Sequence, residues 1–138
     1  MEKEKPLIMI VDDEPDMCWA LENMLRQNGF RSEKALSGQG AMKLMKRHKY
    51  YLAFLDVKLT DMEGLDLARL IKSVDPDIRI IMISGFCYKD DPTIQEAIQE
   101  GLVGNFVAKP FLHEDILDSI KTASSSARIA PTDEDSVP

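Results

Sequence analysis

The sequence predicts an α/β fold, a (βα)5 doubly wound parallel five-stranded sheet with helices on both faces. Three observations carry that expectation. Five short runs rich in apolar, β-branched and aromatic residues recur along the 138 residues. Stretches with helical periodicity separate them. The runs lack clean polar alternation, which suits strands covered on both faces.

The elements follow in order. "LIMIV" (7–11) is the first strand. Met17, Ala20, Leu21, Met24 and Leu25 then fall at i, i+3, i+4, i+7 and i+8, and Gly29 stands just beyond them as a C-terminal stop. The second strand is the weaker run "FRSEKAL" (30–36), followed by a helix marked by Ala41, Leu44 and Met45. "YLAFL" (51–55) is the third strand; Leu67, Leu70, Ile71 and Val74 mark the helix after it, ended by "DPD". "IRIIMI" (78–83) precedes a helix carrying Ile94, Ala97 and Ile98. "NFVA" (105–108) precedes one carrying Ile116, Leu117 and Ile120. After about Thr122 the pattern dissolves into "SSSARIAPTDEDSVP". The expected organisation is one domain over 1–123 and a flexible C-terminal tail or linker over 124–138.

Composition narrows the function. Apolar residues make up 44% and charged residues 30%, ordinary for a soluble globular domain. A net charge of −7 argues against wrapping nucleic acid or an anionic membrane, because both reward Lys/Arg surfaces. No apolar run has spanning length and no signal-peptide pattern appears. Cys18 and Cys87 match no metal-ligand or CxxC spacing, so they read as two reduced thiols in a cytoplasmic protein.

In open parallel sheets, ligands bind outside the carboxyl ends of the strands at a topological switch point. The predicted strand ends collect Asp12 and Asp13, then Asp56, then Ser84 before Gly85, then Lys109 before Pro110. Each signal alone has a plain reading. Acids beside a helix start suit the macrodipole, and Ser-Gly is an ordinary turn. Together they place three carboxylates, a hydroxyl and an ammonium on one edge. Like charges about 4 Å apart repel by roughly 4 kcal/mol at an effective dielectric near 20. A divalent cation would relieve that repulsion, and hard oxygen ligands suit Mg²⁺. A phosphoryl group arriving at Asp56 would lie between the cation and Lys109, with the Ser84 hydroxyl donating to it. A carboxylate is a competent nucleophile in that setting. No Gly-rich nucleotide loop is present.

The segments "IVDDEPDM", "FLDVKLTDMEGLDL", "IMISG" and "FVAKPF" agree in order and approximate spacing, over roughly residues 6–123, with one family. They closely resemble the signature segments of the response-regulator receiver domain. The resemblance implies the flavodoxin-like strand order 2-1-3-4-5. It implies Asp56 as phosphoacceptor, and Asp13, Asp56 and the backbone carbonyl of Lys58 as Mg²⁺ ligands, with Asp12 acting mainly through water. It further implies Ser84 as switch hydroxyl, Lys109 as the site lysine, Phe106 as aromatic switch, and a cis Lys109–Pro110 bond. The phosphodonor would be a sensor histidine kinase or histidine phosphotransfer protein. Phosphorylation would alter a surface near the fourth helix, fifth strand and fifth helix. That surface would serve a downstream protein target or a fused output domain; an activated homodimer and a link to transcription stay open. Such a module catalyses only its own phosphorylation and dephosphorylation.

Some positions depart from the pattern. Thr60 stands where the family usually has proline, which implies a less rigid loop after Asp56. Ser84 and Lys109 are further apart than usual, so "GFCYKDDP" reads as a lengthened loop and "EGLVGNF" as carrying an extra residue. Phe106 lacks the hydroxyl of the tyrosine common at its position. Lys58 either reaches across the site or is a plain surface cation. His48 and His113 read as structural or exposed. The alternative function is a Mg²⁺-dependent aspartate-nucleophile phosphohydrolase. Such enzymes carry a second acid two residues after the nucleophile; here that position is Lys58.

Overall fold

The computed structural model describes residues 6–84, 91–109, 111 and 113–128, the last few by backbone alone. Its strands are β1 (Leu7–Val11), β2 (Arg31–Ala35), β3 (Leu52–Asp56), β4 (Arg79–Ser84) and β5 (Asn105–Ala108). Its helices are α1 (Pro15–Gln27), α2 (Gly38–Met45), α3 (Gly64–Val74), α4 (Pro92–Gln99) and α5 (His113–Arg128). All strand pairs are parallel, in the order β2-β1-β3-β4-β5.

Side chains alternate across a strand, so each apolar run feeds two cores. Ile8 and Ile10 of β1 face a cluster with Cys18, Leu21, Phe54, Ile83, Ile116 and Ile120, beneath α1 and α5. Met9 and Val11 face the other, with Ala41, Leu55, Leu67, Ile71, Ile94 and Ala97 beneath α2, α3 and α4. This two-sided burial is why the runs show no polar alternation. β2 is an edge strand in which only Ala35 is buried, which explains its weak sequence signal. Gly29 adopts φ 85° just past α1, as its predicted role requires.

Three details differ from the sequence reading. Asp56 and Ser84 are the last residues of β3 and β4, inside the strands rather than just beyond them. α2 begins at Gly38, ahead of its first apolar marker, because the Ser37 hydroxyl caps it by accepting the Gly40 N–H at 3.0 Å. α5 continues to Arg128, past the boundary expected after 123. Apolar periodicity marks the packed part of a helix, and "SIKTASSSAR" contains no breaker to stop the polar remainder. Most of the lengthened loop, including Gly85 and Cys87, lies outside the described residues, as do the cis expectation at Pro110 and the tail beyond Arg128. The loop's last acid, Asp91, caps α4 by accepting the Thr93 N–H at 2.8 Å. No described helix is long and apolar enough to cross a membrane.

Candidate functional site

β1 lies between β2 and β3, so the chain reverses its winding there, and the carboxyl ends of β1 and β3 flank the switch point. Asp12 follows β1 and is fully buried. Its N–H continues the β1–β2 ladder to the Ala35 carbonyl at 3.2 Å. Its Oδ1 accepts the Glu14 N–H at 2.9 Å, turning the chain into α1, and its Oδ2 accepts from Lys109 Nζ at 2.8 Å. Asp13 is half-buried, and Asp56 retains 8% exposure. One carboxylate oxygen from each of Asp12, Asp13 and Asp56 lies within 4.8 Å of the others.

Lys109 reaches this cluster from β5. Its N–H donates to the Ser84 carbonyl at 2.7 Å, extending the β4–β5 register one step past Ser84↔Ala108. The ammonium lies 2.8 Å from Asp12 Oδ2, 3.2 Å from Glu14 Oε1 and 4.0 Å from Asp56 Oδ2. Ser84 ends the neighbouring strand and is 2% exposed. The three acids and the ammonium therefore meet at one edge of the sheet, and Ser84 ends the adjacent strand at that same edge. Phe106 stands further back in β5, paired with Met82, half-buried against the core under α3 and α4.

Burial pushes the Asp56 carboxyl up to about 6; Asp12 adds to this, and Lys109 opposes it. For Lys109, burial disfavours the charge, but Asp12 and Asp56 outweigh it and hold the ammonium above its ordinary value. One cation thus faces more than one buried acid. The donor set fits a hard divalent cation: carboxylate oxygens only, crowded enough to repel, with Asp13 partly open to solvent.

The loop after β3 also holds Glu63 and Gly64, to which the sequence assigns no role. Lys58 and Glu63 pair as an antiparallel bridge, and their side chains form an exposed ion pair at 3.5 Å. Lys58 is thus a surface cation with a partner, and its backbone hydrogen-bonds Asp56. Gly64 starts α3 where any side chain would collide: a Cβ would lie 2.2 Å from the Asp56 carbonyl oxygen. Glu14, the third partner of Lys109, is one of the acids crowded in "IVDDEPDM", a segment with nothing in it to tie that acid to the lysine. A glycine at the start of a helix, in "DMEG", was the available signal for Gly64.

Cys18 donates to the Asp12 carbonyl at 3.4 Å, and burial, with Asp12 beside it, pushes its thiol up to about 11, so it is an inert core thiol. His48 lies 3.7 Å from Glu33, and His113 Nε2 lies 2.5 Å from Asn28 Nδ2; neither belongs to the acidic cluster.

Residues 8–121 match the profile of the response regulator receiver domain. The chain belongs to that family. This receiver domain is 32% identical over 138 residues to the response regulator protein TmoT of Ectopseudomonas mendocina, covering all of this chain and 60% of TmoT. Chemotaxis protein CheY of Bacillus subtilis is 32% identical over 82% of this chain and 92% of its own length. Sporulation initiation phosphotransferase F of the same organism is 30% identical over 83% of this chain and 90% of its own. Among solved structures, response regulator TrrA from Thermotoga maritima in complex with Mg(2+)-BeF aligns with TM-score 0.74 at 25% identity, over 86% of this chain and 98% of that one. The receiver is a signalling module of the two-component type, and its strand order is the flavodoxin-like one that the resemblance implies.

Proposed function

We propose that this receiver accepts a phosphoryl group on Asp56 from a phosphohistidine of a sensor histidine kinase or histidine phosphotransfer protein. One observation carries the assignment: Asp56, at the end of β3, has a carboxylate oxygen within 4.8 Å of oxygens of both Asp12 and Asp13, and its Oδ2 lies 4.0 Å from Lys109 Nζ. Mg²⁺ held by Asp13, Asp56 and the Lys58 carbonyl, with Asp12 acting mainly through water, would neutralise charge on the phosphoryl oxygens. An Asp56 oxygen attacks phosphorus in line, the P–N bond breaks, and its electron pair returns to the imidazole, leaving an acyl phosphate. Lys109 stabilises the charge carried by the phosphoryl oxygens, and the Ser84 hydroxyl donates a hydrogen bond to them. Attack by water on phosphorus later breaks the P–O bond to Asp56, releasing inorganic phosphate and regenerating the carboxylate. These two steps on its own aspartate are the only chemistry we assign to the domain.

The new charge draws Ser84 and Lys109 toward Asp56 and biases Phe106, which lines a groove of about 560 Å³ with Gln95, Ile98, Asp115 and Asp118 between α4, β5 and α5. This groove is the proposed surface for a downstream target, a fused output domain or a second copy. The chain spans 60% of TmoT and 26% of the transcriptional regulatory protein DctD of Rhizobium meliloti, and a link to transcription belongs to this reading.

Intact mass after incubation with Mg²⁺ and acetyl phosphate tests the assignment. Wild type gains one phosphoryl group that is lost in mild base, and Asp56→Asn gains none. Equal labelling of the variant refutes it.

A further inference from the structure

The loop between β3 and α3 contains no proline, and its internal hydrogen bonds shape it without anchoring its tip. The Gly64 N–H donates to the Val57 carbonyl at 2.7 Å and the Leu59 N–H to the Met62 carbonyl at 3.1 Å, closing a narrow excursion that exposes Thr60 and Asp61. The anchor comes from elsewhere. Asp61 Oδ1 accepts the Gly38 N–H at 2.9 Å, and Oδ2 accepts the Gln39 N–H at 3.0 Å. These are the first two N–H groups of α2, which lack partners within the helix and sit at the positive end of its dipole. α2 does not need Asp61 as its cap, because Ser37 already takes the Gly40 N–H. Met62 completes the contact: a Cβ on Gly38 would lie 2.5 Å from its Sδ.

We propose that Asp61 is a positioning residue for the phosphoacceptor loop, clamping its tip to the N-terminus of α2 and so holding the Lys58 carbonyl in place for the cation. The inference rests on the reading of Asp56 as the phosphorylated residue. The clamp is charge-assisted, since the Gly38 and Gln39 N–H groups hold the Asp61 carboxyl below its ordinary value. Two parallel bonds to adjacent donors fix the carboxylate's direction as well as its position. With the base of the loop tied by the Lys58–Glu63 bridge and its tip tied to α2, the backbone at Lys58 loses the freedom an untethered loop would keep. A site that binds metal through a backbone carbonyl needs that restraint.

Mg²⁺ affinity by calorimetry, with amide hydrogen exchange beside it, tests the clamp in the full chain. Asp61→Ala is expected to weaken Mg²⁺ binding roughly tenfold, as loss of a supporting contact around a metal does. It also speeds exchange at Leu59 and Gly64. Asp61→Asn, which keeps one acceptor oxygen, falls between. Ser37→Ala, which removes the local cap of α2 and leaves the loop alone, stays close to wild type. Wild-type affinity and exchange in Asp61→Ala overturn the clamp while leaving the site reading intact. Equal weakening by Ser37→Ala also overturns it, because helix stability would then be the cause. A wild-type chain that binds no Mg²⁺ overturns the site reading and this inference with it.

Discussion

At the end of β3, Asp56 is charged at neutral pH against the preference of its surroundings. Its carboxyl is raised from 3.8 to about 6, first by burial and then by Asp12. A group whose folded pKa lies above its unfolded value contributes stability that is complete below the unfolded value and is lost as pH rises through the folded one. Without metal, the contribution of Asp56 therefore falls between about pH 4 and pH 6, by on the order of 1–3 kcal/mol. Asp56→Asn should be more stable than wild type at pH 7 in chelator, with a flatter pH dependence over that window, and Mg²⁺ should close the gap. Urea unfolding across pH 4 to 8 measures this; a variant with the wild-type slope would show that the strain lies elsewhere. The same residues illustrate what was legible in the chain. Asp12, Asp13, Asp56, Ser84 and Lys109 are each named by their chemistry and their place after an apolar run. Glu14 was not, because nothing local in "DDEPD" tells which acid an ammonium far along the chain will meet.

At the scale of elements, the junction of β3 and α3 is built on a close approach. α3 starts at Gly64, whose missing side chain lets the helix sit against the Asp56 carbonyl, with Met82 Cε and Val57 Cα also within 3.0 Å of the absent Cβ. Backbone cannot move aside as a flexible side chain can. Gly64→Ala should therefore cost about 1–3 kcal/mol or more by overpacking, and should slow phosphorylation because the displaced atom belongs to Asp56. Denaturant midpoints and the rate of acyl-phosphate formation measure both. Unchanged values would mean that α3 can shift freely. Helix ends were the least legible feature of this scale. Apolar periodicity located the packed turns of α2 and α5, while the true ends depend on caps and polar residues that carry no periodic signal.

Across the whole molecule, the sheet joins the acidic edge to the groove around Phe106. The Met82↔Phe106 and Ser84↔Ala108 pairs lie in one β4–β5 ladder, so a pull on Ser84 and Lys109 acts on the strand that carries Phe106. Beryllofluoride with Mg²⁺, standing in for the phosphoryl group, should shift amide resonances at the strand ends and also at Gln95, Phe106 and Asp118. Shifts confined to the strand ends would show that the groove is not coupled to the site. By itself, the sequence determined the alternation of strands and helices, the two-faced burial of the central strands, and the residue types at their ends. Those follow from periodicity and side-chain chemistry, both local properties of the chain. Only the tertiary structure decided that Lys109 sits closest to Asp12, that Glu14 shares it, and that Asp61 reaches α2. Each of these joins residues distant in sequence, and their meeting depends on strand register and helix placement, which no local pattern encodes.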